Sequence, residues 1–114
     1  MTAAVKNLVI EQKAAFEKRL TFKDKLKRPV DLTGYTARLQ IRATDGSLIV
    51  ELSTENGGIT LTPAHGFIDL YIAASVTSVM TFKTAYYDLK LIPPNGRDKR
   101  LLQGSVTLSI GQTE

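Results

Sequence analysis

The strongest constraint in this sequence is its period-two alternation of apolar and polar residues, repeated in short runs along almost the whole chain. Tyr35, Ala37, Leu39 and Ile41 alternate with Thr36, Arg38, Gln40 and Arg42. A strand sends successive side chains to opposite faces, so this pattern buries one face and wets the other. The same rhythm runs through Phe16, Lys18, Leu20 and Phe22, then Leu48, Val50 and Leu52. It continues in a short Ile59/Leu61 segment, in Ile68, Leu70 and Ile72, and in Tyr87, Leu89 and Leu91. Leu102, Val106, Leu108 and Ile110 share one parity late in the chain, with Gly104 among them. An opening strand near Leu8 to Ile10 brings the expected number to about eight.

Turn chemistry separates these runs. Asp45-Gly46 suits a hairpin, and Glu55-Asn56-Gly57-Gly58, Pro63-Ala64-His65-Gly66 and Pro93-Pro94-Asn95-Gly96 break the chain between strands. One stretch departs from the alternation. Ser75 is positioned to cap a single helical turn reaching Met80, with Val76, Val79 and Met80 expected to face the core. Short, one-sided strands at this spacing predict two antiparallel sheets packed face to face. A helical turn before the penultimate strand favours the immunoglobulin-like arrangement over a barrel, because a connection there crosses between sheets. The expected fold is an all-β, immunoglobulin-like antiparallel sandwich with one short helical turn near residues 75–80.

A chain of 114 residues suits a single domain over 1–114, with residues 1–6 a candidate flexible arm. With 43% hydrophobic and 23% charged residues it has the composition of an ordered globular protein. There is no cysteine, which excludes disulfides and thiolate metal sites. No apolar run is long enough to span a bilayer as a helix, and Met1 to Lys6 does not read as a secretory leader. The net charge of +4 and pI near 9.5 are mild, compatible with an anionic partner or with solubility alone.

The residues offer little chemistry. His65 is the only histidine and sits in a turn between Pro63 and Gly66, with no nucleophile-elbow motif anywhere to serve. The plainer reading of His65, an exposed turn residue, is the favoured one. The carboxylates are scattered, Asp45-Gly46 lacks the ligand spacing of a calcium loop, and Gly57-Gly58 matches no phosphate-binding pattern. No catalytic residue, cofactor or metal is therefore expected, and the chain is read as a non-enzyme. Two basic clusters remain as a candidate interaction rim: Lys23, Lys25, Lys27 and Arg28 in one loop, and Arg97, Lys99 and Arg100 in the last hairpin. The competing view is that these are solvated hairpin tips whose charges discourage edge pairing. In an immunoglobulin-type sandwich the two loops share one end, which would merge the clusters. Tyr71 and Tyr86 fall off the apolar parity without a flanking basic stripe, so nucleic-acid binding is a minor reading.

Four segments resemble a group of small all-β bacteriophage proteins: Asn7-Leu8-Val9-Ile10-Glu11-Gln12, Asp31 through Arg42, Tyr87-Asp88-Leu89-Lys90-Leu91, and Arg100-Leu101-Leu102-Gln103-Gly104. The likeness extends to the sandwich domain that opens the baseplate upper proteins of tailed phages. It implies a virion structural protein, of tail or baseplate type, assembled in the bacterial host cytoplasm. The implied partners are other virion proteins and further copies of itself in a symmetric array. The resemblance carries over no catalytic residue. A capsid decoration protein and a host-attachment module binding carbohydrate or anions are the alternatives. Within the resembling segments, Gly34 is expected to turn the chain sharply into the next strand, where Tyr35 starts the inward alternation. Tyr87 invites comparison with a tyrosine corner, although Leu89 stands where that motif has cysteine.

Overall fold

The computed structural model describes residues 4–110. Nine strand segments form two sheets: β1 (Ala4–Val5), β2 (Leu8–Glu11), β3 (Phe16–Thr21), β4 (Thr36–Arg42), β5 (Leu48–Ser53), β6 (Ile59–Thr62), β7 (Phe67–Ile72), β8 (Thr84–Ile92) and β9 (Lys99–Ser109). The larger sheet runs β1/β2–β9–β8–β4–β5, and the smaller runs β3–β7–β6. All pairings are antiparallel except those of β1 and β2 with β9. The register is continuous across both, Ala4 opposite Leu102 and Leu8 opposite Val106. β1 and β2 are thus one strand interrupted at Lys6-Asn7, and the eight expected strands are all present.

The alternation lands as the pattern requires. Ala37, Leu39 and Ile41 from β4, Ile68, Leu70 and Ile72 from β7, and Ala85, Tyr87, Leu89 and Leu91 from β8 meet in one buried cluster. Leu8 and Ile10 close it on one side, while Val9 between them is exposed. Leu32, which the alternation does not single out, is fully buried from the loop ahead of β4.

Five expectations need correction. The helical turn spans Ala74–Thr77, with its cap two residues earlier than expected and its end short of Met80, and Ala73 at its N-cap makes no side-chain bond. Ser75 therefore does not cap it. This phase turns Thr77 inward, and of Val76, Val79 and Met80 only Met80 is buried. The Thr77 hydroxyl donates to Ala14 O at 2.8 Å, and Gln12 Nε2 donates to Met80 O at 2.8 Å. These bonds tie the β7–β8 crossing to the β2–β3 link, where Lys13 takes a positive φ. On β5, a bulge sets Ile41 opposite Val50 but Arg42 opposite Leu48. Two residues there face one, so parity breaks and Leu48 turns to solvent while Ile49 packs inward. Ile110 lies beyond the end of β9 and is exposed. The strand entered from Gly34 begins at Thr36, with Tyr35 only partly buried. Finally, the candidate arm divides. Ala4–Val5 pair with β9 and Lys6 N–H donates to Gln103 O at 2.9 Å, whereas residues 1–3 lie outside the described residues.

Gly104 explains how the interrupted strand seats. A Cβ there would lie 2.8 Å from the Lys6 carbonyl carbon and closer still to its oxygen. Only a residue without a side chain lets that backbone approach. The Tyr87 hydroxyl donates to the same Lys6 O at 2.5 Å, and Asn7 Oδ1 accepts from Ser105 N–H at 3.1 Å. The tyrosine thus pins the N-terminal strand from within the same sheet, reaching over Gly104 of the intervening β9. That is a longer-range bond than a tyrosine corner makes. Among the described residues, no helix is long and apolar enough to cross a membrane.

Candidate interaction surface

His65 ends a 3-10 turn, Pro63–His65, and is exposed. Its ring stacks on Phe67 with centroids 5.3 Å apart, and the Arg19 guanidinium lies 4.3 Å from the Phe67 ring centre. Arg19 also grips Asp69 through two bonds of 2.8 and 3.2 Å. The most aromatic part of the smaller sheet's outer face is therefore occupied by its own neighbours. Tyr71 farther along is exposed. Among the described residues, no group of three or more histidine, aspartate or glutamate side chains is placed to hold a metal ion.

The basic loops share one end of the sandwich, since β3 and β8 finish there while β4 and β9 begin. Their segments touch where Gly34 faces Pro94, whose Cγ lies 2.8 Å from where a Cβ would stand. The seven cationic residues are not equivalent, however. Asp24 organises the first loop, accepting from Leu26 N–H at 2.8 Å, Arg28 N–H at 3.0 Å and Arg28 Nε at 3.1 Å. The Arg28 amide, chiefly, holds the Asp24 carboxyl below its ordinary pKa. Arg28 is thus part of the turn. Arg100 points onto the outer face of the larger sheet, 3.4 Å from Asp88. Lys23, Lys25, Lys27, Arg97 and Lys99 are exposed, and no ion pair engages them among the described residues.

The better-organised surface is one that alternation marks only by default, the polar face of β4, β5, β8 and β9. Register places Arg42, Tyr86 and Ser105 in one row, and Glu51, Gln40, Asp88 and Gln103 in the next. Arg42 donates to Gln40 Oε1 and to Gly46 O, both at 3.0 Å, and Gln40 donates to Glu51 Oε1 at 2.7 Å. Glu51 in turn lies 3.9 Å from Arg38. These bonds hold long side chains in fixed positions, lowering the entropy they would lose on contact with a partner. Tyr86 stands 54% exposed in the middle, with a shallow hollow on each side. One hollow is lined by Arg42, Asp88 and Arg100, the other by Val5, Gly104 and Ser105, and both reach Gln103. An exposed aromatic among polar side chains that bond one another is a composition common at protein-contact centres. Its one trace in the sequence was Tyr86 standing off the apolar parity.

The sequence matches no family model and no curated protein. Solved structures match at the level of fold. CopC from Methylosinus trichosporium OB3b aligns with a TM-score of 0.51 at 13% identity, over 98% of this chain and 90% of that one. The immunoglobulin-like domain of mouse leukocyte-associated immunoglobulin-like receptor 1, solved as a strand-swapped dimer, aligns with a TM-score of 0.50 at 17% identity, over 90% and 86%. Identities this low carry architecture alone. With its two sheets, its helical crossing between β7 and β8 and these neighbours, the chain is an all-β, immunoglobulin-like sandwich.

Proposed function

We propose that this protein is a bacteriophage virion structural subunit, of the tail or baseplate, that works through protein–protein assembly and not through catalysis. The observation carrying the assembly reading is the outer face of the larger sheet, where Tyr86 stands exposed among side chains already fixed by mutual bonds. The phage setting is supported by the resemblance of the four sequence segments to small virion proteins. The partners are other virion proteins and further copies of the chain, in a particle assembled in the host cytoplasm. The mouse receptor domain, as a strand-swapped dimer, is a precedent for a sandwich of this fold joining copies of itself.

Mass spectrometry of purified particles, with copy number, tests this. A copy number set by the rotational symmetry of the tail supports the proposal. One on the scale of the capsid lattice moves the protein to head decoration, and absence from particles refutes a virion role. Within particles, Tyr86→Ala should leave the isolated fold intact while lowering incorporation. Unchanged incorporation would remove this face from the assembly.

A further inference from the structure

A second surface lies where the two sheets part beside β3. Among the described residues this strand bonds to β7 alone, so its other edge is open. Phe22 N–H donates to Gly66 O at 2.8 Å, extending the ladder beyond Thr21. Hydrogen-bonded pairs alternate along an antiparallel ladder, which puts them on the even residues here. The N–H and C=O groups of Arg19 and Thr21 consequently point to the open side. Edges of this kind recruit other strands unless something guards them, and an inward-facing charge is one such guard. Lys18 supplies it for the first half of β3, sitting on the inward parity between Phe16 and Leu20. The second half carries no charge on that parity.

That unguarded half borders a groove of about 480 Å³. Leu20, Phe22, Ile68, Leu101 and Leu102 form its apolar lining, and Lys6, Arg19 and Lys23 supply its charges. Among the described residues no carboxylate lines it. Arg19 is neutralised by Asp69, but Lys6 and Lys23 have no ion-pair partner among the described residues. An occupant must therefore offer backbone groups to an open strand edge, apolar side chains to the lining and negative charge to two lysines. A nucleic acid supplies the charge without the strand.

We propose that this groove docks an extended acidic segment of a partner protein, which adds to the edge of β3 as a further strand. Its alternate apolar side chains rest on Leu20, Phe22, Leu101 and Leu102, and its carboxylates meet Lys6 and Lys23. The net charge of +4 favours encounter with such a segment at physiological salt.

The probe is a decapeptide of alternating valine and glutamate, titrated into the isotope-labelled protein and followed by NMR and amide exchange. Binding should shift the resonances of the groove and protect the amides of Arg19 and Thr21, a signature that charge attraction alone does not produce. Lys6→Glu and Lys23→Glu should each weaken binding about tenfold at low salt. Thr21→Pro removes an N–H that the fold does not use, and should abolish binding while circular dichroism stays unchanged. If that variant fails to fold, the two lysine variants and the exchange pattern still decide. Protection on β5 or β6 instead, equal binding of a valine–lysine decapeptide, or no shift at millimolar peptide would each overturn the proposal. So would an oligothymidylate that displaces the peptide and leaves Arg19 and Thr21 unprotected. The groove shares no lining residue with the Tyr86 face, so failure here and failure of the assembly reading are separate results.

Discussion

Replacing Gly104 with alanine adds one methyl group at the point where the interrupted N-terminal strand runs alongside β9. That methyl would stand 2.8 Å from the Lys6 carbonyl carbon and nearer still to its oxygen, so the carbonyl must retreat by about 1 Å to reach ordinary contact. The Tyr87 hydroxyl bond to the same oxygen cannot survive the move. Overpacking of this kind costs about 1–3 kcal/mol, and the lost hydrogen bond adds about 1 kcal/mol. A total of about 2–4 kcal/mol corresponds, for a domain of this size, to a fall in Tm of roughly 8–20 °C. If the whole segment lifts, re-exposing Leu8 and Ile10 adds about 1.5–3 kcal/mol for each side chain. Thermal and urea denaturation followed by circular dichroism measure the change. A double-mutant cycle sharpens the test. Tyr87→Phe alone should cost about 1 kcal/mol, yet almost nothing in the Gly104→Ala background, because both act through one carbonyl. A Tm for Gly104→Ala within about 2 °C of the parent, or full additivity with Tyr87→Phe, would refute this account.

Thr77→Val keeps the volume but removes the hydroxyl bond to Ala14 O, and should lower stability in urea by about 1–3 kcal/mol. Asn56→Ala should cost a comparable amount, about 1–3 kcal/mol, since its side chain bonds Ser53 N–H, Gly58 N–H and Glu51 O where the chain leaves β5. In acid, the bonds from Arg28 to Asp24, Thr33 to Asp31 and Ser47 to Asp45 hold these carboxyls below their ordinary values. Their contribution is present above the unfolded carboxylate pKa near 4 and is lost as pH falls through the lower folded values. A denaturation midpoint that drops below about pH 4, and drops less in a triple Asp→Asn variant, is the expected result. In alkali, burial raises the Tyr87 pKa, so its contribution is full below about pH 10 and fades as pH rises through the folded value. Tyr87→Phe should flatten that limb of the stability profile.

The legible part of this protein was its inner face. Alternation in β4, β7 and β8 is a local property of consecutive residues, and that alone marks Leu39, Ile41, Leu70, Leu89 and Leu91 as core, where all five are buried. Turn residues likewise marked the breaks, because their backbone preferences act within a few positions. Where a long-range contact overrode local pattern, sequence reading went astray. The phase of the Ala74–Thr77 turn answers to Ala14, 63 residues away, and the bulge in β5 depends on its pairing with β4. Leu32 has no periodic neighbours to announce it.

The candidate surfaces divide in the same way. Composition and spacing picked out seven cations, but only folding withdrew Arg28 into its own loop and Arg100 onto Asp88. Register gathered Tyr86, Arg42, Gln103 and Ser105 from three strands into one face, and no property of any one strand foretells that meeting. The sequence by itself determined an all-β fold of one-sided strands, because burying apolar alternates is a one-dimensional instruction that a barrel satisfies as well as a sandwich. Which polar alternates become neighbours, and which strand edge is left open, depends on the pairing of segments far apart in the chain. Tertiary structure decided both.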